Sequence, residues 1–162
     1  MSVIAPGLLV GSVHDAFNTN ILSKFHIATI LNVASELQFA GRCNMHYYKI
    51  GINDDCITSD MQNILPDCLQ LIQETMQQGA SILVHCLEGK SRSICVVLAY
   101  MVIINLQDWD ASLSYLKQIR PTIEIFPLYL QQTKSYCESV KQSWKNPPNP
   151  AGKGNLTSNN TL

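Results

Sequence analysis

Short apolar runs alternate with longer segments of helical spacing along most of the chain. The apolar runs predict strands at residues 7–10, 29–33, 46–52 and 80–85. The longer segments predict helices over residues 15–25, from 59 or 60 to 79, from about 94 to 105, over 108–119 and over 127–140. Because strands and helices alternate, we expect an α/β fold with a central, mostly parallel sheet of about five strands and helices on both faces.

The composition limits this fold to a single domain. A chain of 162 residues that is 46% apolar can build one substantial core, but it is too short for two ordinary ones. Residues 1–144 are predicted to form the domain. After Trp144 the chain is rich in Pro, Gly, Asn and Ser and has almost no core residues, so residues 145–162 are predicted to be a disordered polar tail.

Charge and cysteine usage exclude several classes of partner. The net charge of −1 creates no field that would attract nucleic acid or an anionic membrane, so any affinity for an anion has to come from a local site. The longest apolar run, residues 94–104, is shorter than the roughly 20 residues that cross a bilayer, so no membrane insertion is expected. The six cysteines have neither zinc-site spacing nor disulfide density, so no metal or cofactor is predicted. Reduced thiols and the absence of a signal-peptide pattern predict a cytoplasmic protein, with the nucleus as the alternative.

One segment combines residues that suit phosphate chemistry. Residues 84–93 read VHCLEGKSRS, with Cys86 at the end of a buried strand and Arg92 at the start of an apolar helix. A short loop in this place curls around the helix N-terminus and turns its backbone N–H groups inward, which makes a cradle for an anion. The predicted phosphate-binding residues are therefore Leu87, Glu88, Gly89, Lys90, Ser91 and Arg92.

The same arrangement predicts a nucleophile. Thiols at helix N-termini beside a cation ionise readily, so Cys86 is expected to react as a thiolate. The planar guanidinium of Arg92 can hold two phosphoryl oxygens at once. The alternative is that Cys86 is a core cysteine and Arg92 a surface cation. The combination of His-Cys, Gly and Arg-Ser at this spacing would arise by chance on the order of once in 10⁵ chains of this size. This low frequency disfavours the alternative.

The sequence resembles the cysteine-based protein tyrosine phosphatase superfamily, whose signature is His-Cys, five residues, Arg, then Ser or Thr. The compact dual-specificity branch fits best, and the similarity includes residues 8–12 (LLVGS) and 30–33 (ILNV) and extends to about Trp144. The resemblance implies a three-layer fold and hydrolysis of protein phosphoesters through a phosphocysteine. It also implies a shallow cleft that accepts phosphotyrosine, phosphoserine and phosphothreonine, because the chain is too short for the pocket-deepening loop of the phosphotyrosine-specific domains.

The resemblance assigns three supporting roles. Asp54 falls on the family's general-acid position, although a loop Asp is more often a turn former and Asp55 is a competitor. Ser93 would donate a hydrogen bond to the sulfur of Cys86, or it could simply cap the helix. His85 is expected to order the loop by a hydrogen bond to its backbone.

Some features depart from the family pattern or leave other functions open. Glu88 and Lys90 place opposite charges at the rim, so neither fixes the substrate. Ile125 and Phe126 stand where many relatives have a Pro-Asn pair whose Asn supports the active-site loops, so that support is either missing or supplied differently.

The alternative functions are a phosphatase of the same fold acting on phosphoinositides or RNA 5′ phosphates, for which Lys90 is the only support, and a non-catalytic phosphate-binding module. Phosphorylated proteins remain the expected partners, and the oligomeric state is not predicted.

Overall fold

A five-stranded sheet forms the centre of the protein in a computed structural model that describes residues 1–38, 45–55 and 60–145. The strands, in chain order, are β1 Ser2–Ala5, β2 Leu8–Gly11, β3 Ile27–Ala34, β4 His46–Ile52 and β5 Ser81–His85. Their order across the sheet is β1-β2-β5-β3-β4, and only the β1–β2 pair is antiparallel. The predicted α/β class and the mostly parallel sheet are therefore confirmed.

Helices cover both faces of this sheet. They are α1 Val13–Phe17, α2 Thr19–Lys24, α3 Met61–Gln77, α4 Arg92–Ile103, α5 Trp109–Ile119 and α6 Pro127–Lys145. Successive strand residues point to opposite faces, so they enter different cores. Leu9 and Leu83 pack with Ala16 and Leu22 of the two short helices, whereas the strand residues on either side of Leu9 and Leu83 join the larger cluster under α3 to α6.

The structure differs from the sequence prediction in three main features. Residues 15–25 form two helices instead of one, because Asn18 takes an extended conformation and its side chain accepts a hydrogen bond from the N–H of Ile21 to start α2. Strand β1 was not predicted, and it is a short edge strand with one antiparallel neighbour. Helix α6 continues to Lys145 instead of ending near Val140. The predicted tail from 146 onward lies outside the described residues and stays a prediction.

The topology brings the predicted site to one edge of the sheet. Strand β5 lies between β2 and β3, parallel to both, and leads directly into the loop that carries Cys86. All twelve residues of α4, which begins at Arg92, are buried. Loops that leave the carboxyl ends of parallel strands meet at the same edge, which is where ligands bind in open α/β sheets. Among the described helices, none has the length and apolar content to cross a membrane.

Candidate active site

The thiol of Cys86 lies at the base of the loop that joins β5 to α4. Cys86 is only 3% exposed, and its Sγ accepts a hydrogen bond from the N–H of Gly89 at 3.3 Å. The Oγ of Ser93 lies 3.3 Å from the same sulfur. The helix N-cap is Ser91, not Ser93, so the capping alternative for Ser93 is wrong.

A cavity of about 220 Å³ opens above this loop. Eight residues line it: Asp54, Cys86, Leu87, Glu88, Lys90, Ser91, Arg92 and Glu124. Seven of them were predicted from the sequence as catalytic or phosphate-binding residues. The other three predicted residues, His85, Gly89 and Ser93, are buried and do not line it. The structure thus brings the two distant parts of the prediction, the cysteine loop and the acid loop, to one cavity.

Gly89 is required in this loop for two separate reasons. Its φ angle is +69°, in the left-handed region that side chains disfavour. A Cβ at this position would also lie 2.4 Å from the carbonyl oxygen of Gly11, the last residue of β2. The loop is held against this strand edge by a further hydrogen bond, in which the N–H of Val13 donates to the carbonyl of Leu87 at 3.0 Å.

Arg120 supports the loop from below. Its Nε donates to the carbonyl of Gly89 at 2.7 Å, and its Nη2 donates to the carbonyl of Glu88 at 3.3 Å. In an anion-binding loop whose N–H groups turn inward, the carbonyls point outward, away from the anion site. A cation bound to the carbonyls therefore stabilises the loop conformation that forms the cradle.

The segment before α6 makes the second support. The N–H of Glu124 donates to the carbonyl of Lys90, and the N–H of Phe126 donates to the Oγ of Ser91, both at 3.1 Å. Phe126 occupies the place of the Asn that supports the loops in many relatives. Here the backbone of Phe126, which needs no particular side chain, makes the contact with the loop.

Arg92 is held by Glu36, a residue that the sequence pattern did not single out. Nη1 and Nη2 of Arg92 donate to the two carboxylate oxygens of Glu36, each at 2.7 Å. Nη1 also donates to the carbonyl of Ile52 at 3.2 Å. The hydrogen bonds from Arg92 lower the pKa of Glu36. Burial opposes the charge of Arg92, but the hydrogen bonds and charge of Glu36 outweigh it, and the pKa of Arg92 is raised.

This pairing orients the guanidinium for phosphate. Among the described contacts, three of the five N–H groups of Arg92 bind Glu36 and Ile52. The Nε–H and the second Nη2–H lie on one edge of the planar group, which suits two oxygens of a phosphate, and the Nη2 on this edge is also 3.3 Å from Oδ2 of Asp54. Glu36 follows the carboxyl end of β3. The rule that ligand-binding groups follow strand ends could have found it.

Asp54 is the acid-loop carboxylate that reaches the cavity. Its side chain is 58% exposed, and its Oδ2 lies 3.3 Å from Nη2 of Arg92. Asp55, the competitor, is also described and does not line this cavity. Of the two carboxylates, the structure therefore brings Asp54 and not Asp55 to the cavity. The loop continues into residues 56–59, which lie outside the described part of the chain.

His85 contacts the backbone next to the nucleophile. It is 1% exposed, and its Nδ1 lies 3.2 Å from the carbonyl oxygen of Cys86. A carbonyl only accepts, so Nδ1 carries the proton. Burial lowers the pKa of His85, which favours the neutral ring. A neutral histidine fixed in this way orients the peptide that bears the thiol.

The rim charges next to the cavity compensate each other. The Nζ of Lys90 lies 2.6 Å from a carboxylate oxygen of Glu88. The hydrogen bond between them lowers the pKa of Glu88 and raises that of Lys90. Lys90 is therefore not a free cation offered to a polyanion. Within the described residues, no group of three or more His, Cys, Asp or Glu side chains could hold a metal ion.

Comparison with known proteins agrees with this geometry. Residues 8–139 match the family model described as "Dual specificity phosphatase, catalytic domain". The chain is 32% identical over 142 residues to "Dual specificity protein phosphatase 1" of Arabidopsis thaliana and 30% identical over 136 residues to "Dual specificity protein phosphatase 19" of Mus musculus. These matches cover 88% and 84% of this chain, and 71% and 61% of the relatives. The crystal structure of DUSP15 superposes with a TM-score of 0.82 at 25% identity, covering 88% of this chain and 90% of that one.

The chain belongs to the dual specificity phosphatase family, a branch of the cysteine-based protein tyrosine phosphatases. Its described fold and its cysteine loop are those of a dual-specificity phosphatase catalytic domain. The predicted family and fold are therefore confirmed. Several curated relatives are considerably longer than this chain, which spans less than two thirds of the mouse protein.

Proposed function

We propose that this protein hydrolyses phosphotyrosine, phosphoserine and phosphothreonine in other proteins, with Cys86 as nucleophile. One observation carries the proposal: Cys86, Arg92 and Asp54 line one cavity, with the thiol at its base and the arginine held in place by a carboxylate. The three groups provide a nucleophile, an anion clamp and a proton donor, which together suffice for phosphoester hydrolysis.

The first half-reaction transfers the phosphoryl group to sulfur. The loop N–H groups and the Nε–Nη2 edge of Arg92 bind the phosphate oxygens. The Cys86 thiolate attacks phosphorus, an S–P bond forms and the P–O bond to the substrate breaks. Asp54 gives its proton to the departing oxygen, because an alkoxide or phenolate is otherwise a poor leaving group.

The second half-reaction releases phosphate. A water molecule gives a proton to the Asp54 carboxylate and attacks phosphorus as the S–P bond breaks, so inorganic phosphate and the thiolate are regenerated. Ser93, with its Oγ 3.3 Å from Sγ, donates a hydrogen bond that stabilises the departing thiolate. No redox or metal step is needed for this balance.

A panel of phosphopeptides tests the proposal. Peptides with a single phosphotyrosine, phosphoserine or phosphothreonine should release phosphate, and Cys86→Ser should abolish release while it retains peptide binding. Cys137→Ser is the control, because Cys137 is a buried thiol of α6 that does not line the cavity. Full turnover by Cys86→Ser would refute the covalent mechanism.

Paired variants of the acid loop test the choice of proton donor. Asp54→Asn should lower kcat by about 10²-fold or more, the range for loss of a general acid. Asp55→Asn should retain most of the activity. The opposite ranking of the two variants would assign the role to Asp55.

The rim favours protein over lipid or RNA substrates. Lys90 was the only sequence feature that suggested a phosphoinositide, and Glu88 compensates its charge. Inositol phospholipids and RNA 5′ phosphates should therefore be poorer substrates than phosphopeptides, and a strong preference for either would overturn this choice.

The structure describes four free thiols: Cys68, Cys86, Cys95 and Cys137. This supports our further proposal that the protein works in a reducing compartment, the cytoplasm or the nucleus.

A further inference from the structure

Helix α6 is hydrogen-bonded to Asn53 of the acid loop and to the first residue of α3, which lie on either side of Asp54 in the sequence. On one side, the hydroxyl of Tyr129 donates to the carbonyl of Asn53 at 2.6 Å. On the other, the side-chain Oε1 of Gln132 accepts from the N–H of Met61, the first residue of α3, at 3.1 Å. Tyr129 and Gln132 are three residues apart, so they lie on the same face of the helix.

We propose that Tyr129 is a positioning residue that holds the general acid Asp54 over the cavity. The inference rests on the proposed function, because it gives Asp54 its role. Asn53 precedes Asp54 directly, so a hydrogen bond to the carbonyl of Asn53 fixes the peptide from which Asp54 projects. Asp54 itself is 58% exposed, and a side chain this exposed depends on its backbone for placement.

The side chain of Tyr129 is rigid enough for this task. It is fully buried, and a buried hydroxyl costs free energy unless it is hydrogen-bonded. The ring of Phe126 packs against the ring of Tyr129 with 5.7 Å between centroids. The carbonyl of Tyr129 accepts a 2.7 Å hydrogen bond from the Oγ1 of Thr133, which ties this turn of the helix to the next.

The residue directly before α6 also contacts the cysteine loop. The N–H of Phe126 donates to Ser91, and three residues later Tyr129 reaches Asn53. Residues 126–129 therefore connect the loop that carries the nucleophile with the loop that carries the acid. Position 126 of this chain is Phe and has no side-chain amide that could bind the acid loop. The hydroxyl of Tyr129 provides a link to that loop instead.

The test is Tyr129→Phe, which removes only the hydroxyl. Leaving groups of low basicity need no proton, whereas phenolates of high basicity and alkoxides do. For Tyr129→Phe we expect kcat/KM, which reports the step in which the leaving group departs, to fall about tenfold with phenyl phosphate and a phosphoserine peptide, since general acid catalysis contributes about 10²–10⁴-fold and only part of it is lost. With 4-nitrophenyl phosphate the fall should stay below about twofold, on the same reasoning.

Tyr115→Phe is the matched control. The hydroxyl of Tyr115 also donates to a backbone carbonyl, that of Ile4 at 3.3 Å, and Tyr115 does not line the catalytic cavity. This variant should show no dependence on the leaving group. In the double variant Asp54→Asn/Tyr129→Phe, activity should match that of Asp54→Asn alone, because Tyr129 acts through Asp54.

Three results would overturn the proposal: unchanged kcat/KM with phenyl phosphate in Tyr129→Phe, an equal loss of kcat/KM for all leaving groups, or additive losses in the double variant. None of them requires the proposed function to fail. Failure of the proposed function has a different signature, in which the wild-type protein does not hydrolyse any aryl phosphate or Cys86→Ser remains active.

Discussion

Replacing Gly89 with alanine perturbs the cradle at a single point. The loop depends on glycine there for its positive φ angle and for its close approach to the backbone of Gly11. Gly79, which follows the end of α3, has a similar φ of +73°, but a Cβ added there would have no neighbouring atom within 4 Å. The pair of substitutions Gly89→Ala and Gly79→Ala therefore separates the cost of the conformation from the cost of the contact.

The expected magnitudes follow from these distances. A left-handed conformation costs an ordinary residue about 1–2 kcal/mol, so Gly79→Ala should lower the free energy of unfolding by about this amount. At Gly89 the new Cβ would lie 2.4 Å from a backbone oxygen, which cannot move away as a flexible side chain could. Overpacking of this kind adds about 1–3 kcal/mol, giving a total of about 2–5 kcal/mol. A domain with more than about 7 kcal/mol of stability, within the usual range of about 5–15 kcal/mol, would remain largely folded.

Urea unfolding and steady-state kinetics measure the two consequences. Gly89→Ala should be less stable than Gly79→Ala by about 1–3 kcal/mol. It should also lose at least about tenfold in kcat/KM, because the N–H of Gly89 is one of the donors around the Cys86 sulfur. Gly79→Ala should retain wild-type kinetics. Equal losses of stability in the two variants would show that the loop does not pack against Gly11 as described.

Other predictions concern stability. Glu36→Gln should lower the free energy of unfolding by about 1–2 kcal/mol. This is less than for a fully buried ion pair, because the Glu36 side chain is 40% exposed. Because the pKa of Glu36 is lowered in the folded protein, its ion pair with Arg92 contributes fully to stability above about pH 4.3. Denaturant unfolding should therefore show the difference from wild type disappearing as the pH falls through the folded-state pKa; a constant difference would contradict the ion pair. Leu106 is 71% exposed at a φ of +56°, so Leu106→Asn should raise the free energy of unfolding by about 0.5 kcal/mol, and a loss would refute strain there. Burial lowers the pKa of His85, so wild-type stability should decline below about pH 6.5, and less steeply in His85→Asn; equal slopes would contradict a neutral buried ring.

The parts of the site that are contiguous in sequence could be predicted. Cys86, Arg92 and Ser93 are arranged by one strand, one loop and one helix, and the apolar patterns of β5 and α4 define both boundaries. The acid loop was also predictable, because polar residues directly follow β4. Local periodicity and strand-end rules carry this much information.

The contacts that tune the site depend on tertiary structure, so the sequence pattern did not reveal them. Glu36 reaches Arg92 because β3 lies next to β5, a strand order that apolar periodicity does not specify. Tyr129 has the spacing of an ordinary core residue of α6, and only the packing of that helix places its hydroxyl on Asn53. The break between α1 and α2 was missed for a different reason, since the capping side chain of Asn18 overrides a continuous helical pattern.

The central claim is that Cys86 carries the phosphoryl group during turnover. Rapid acid quenching of wild-type protein with excess phosphopeptide, followed by digestion and mass spectrometry, tests this directly. We predict that one added phosphoryl group will be found on the sulfur of Cys86 and will be absent from Cys86→Ser. A phosphoryl group on another residue, or rapid turnover in which Cys86 is never modified, would contradict the mechanism.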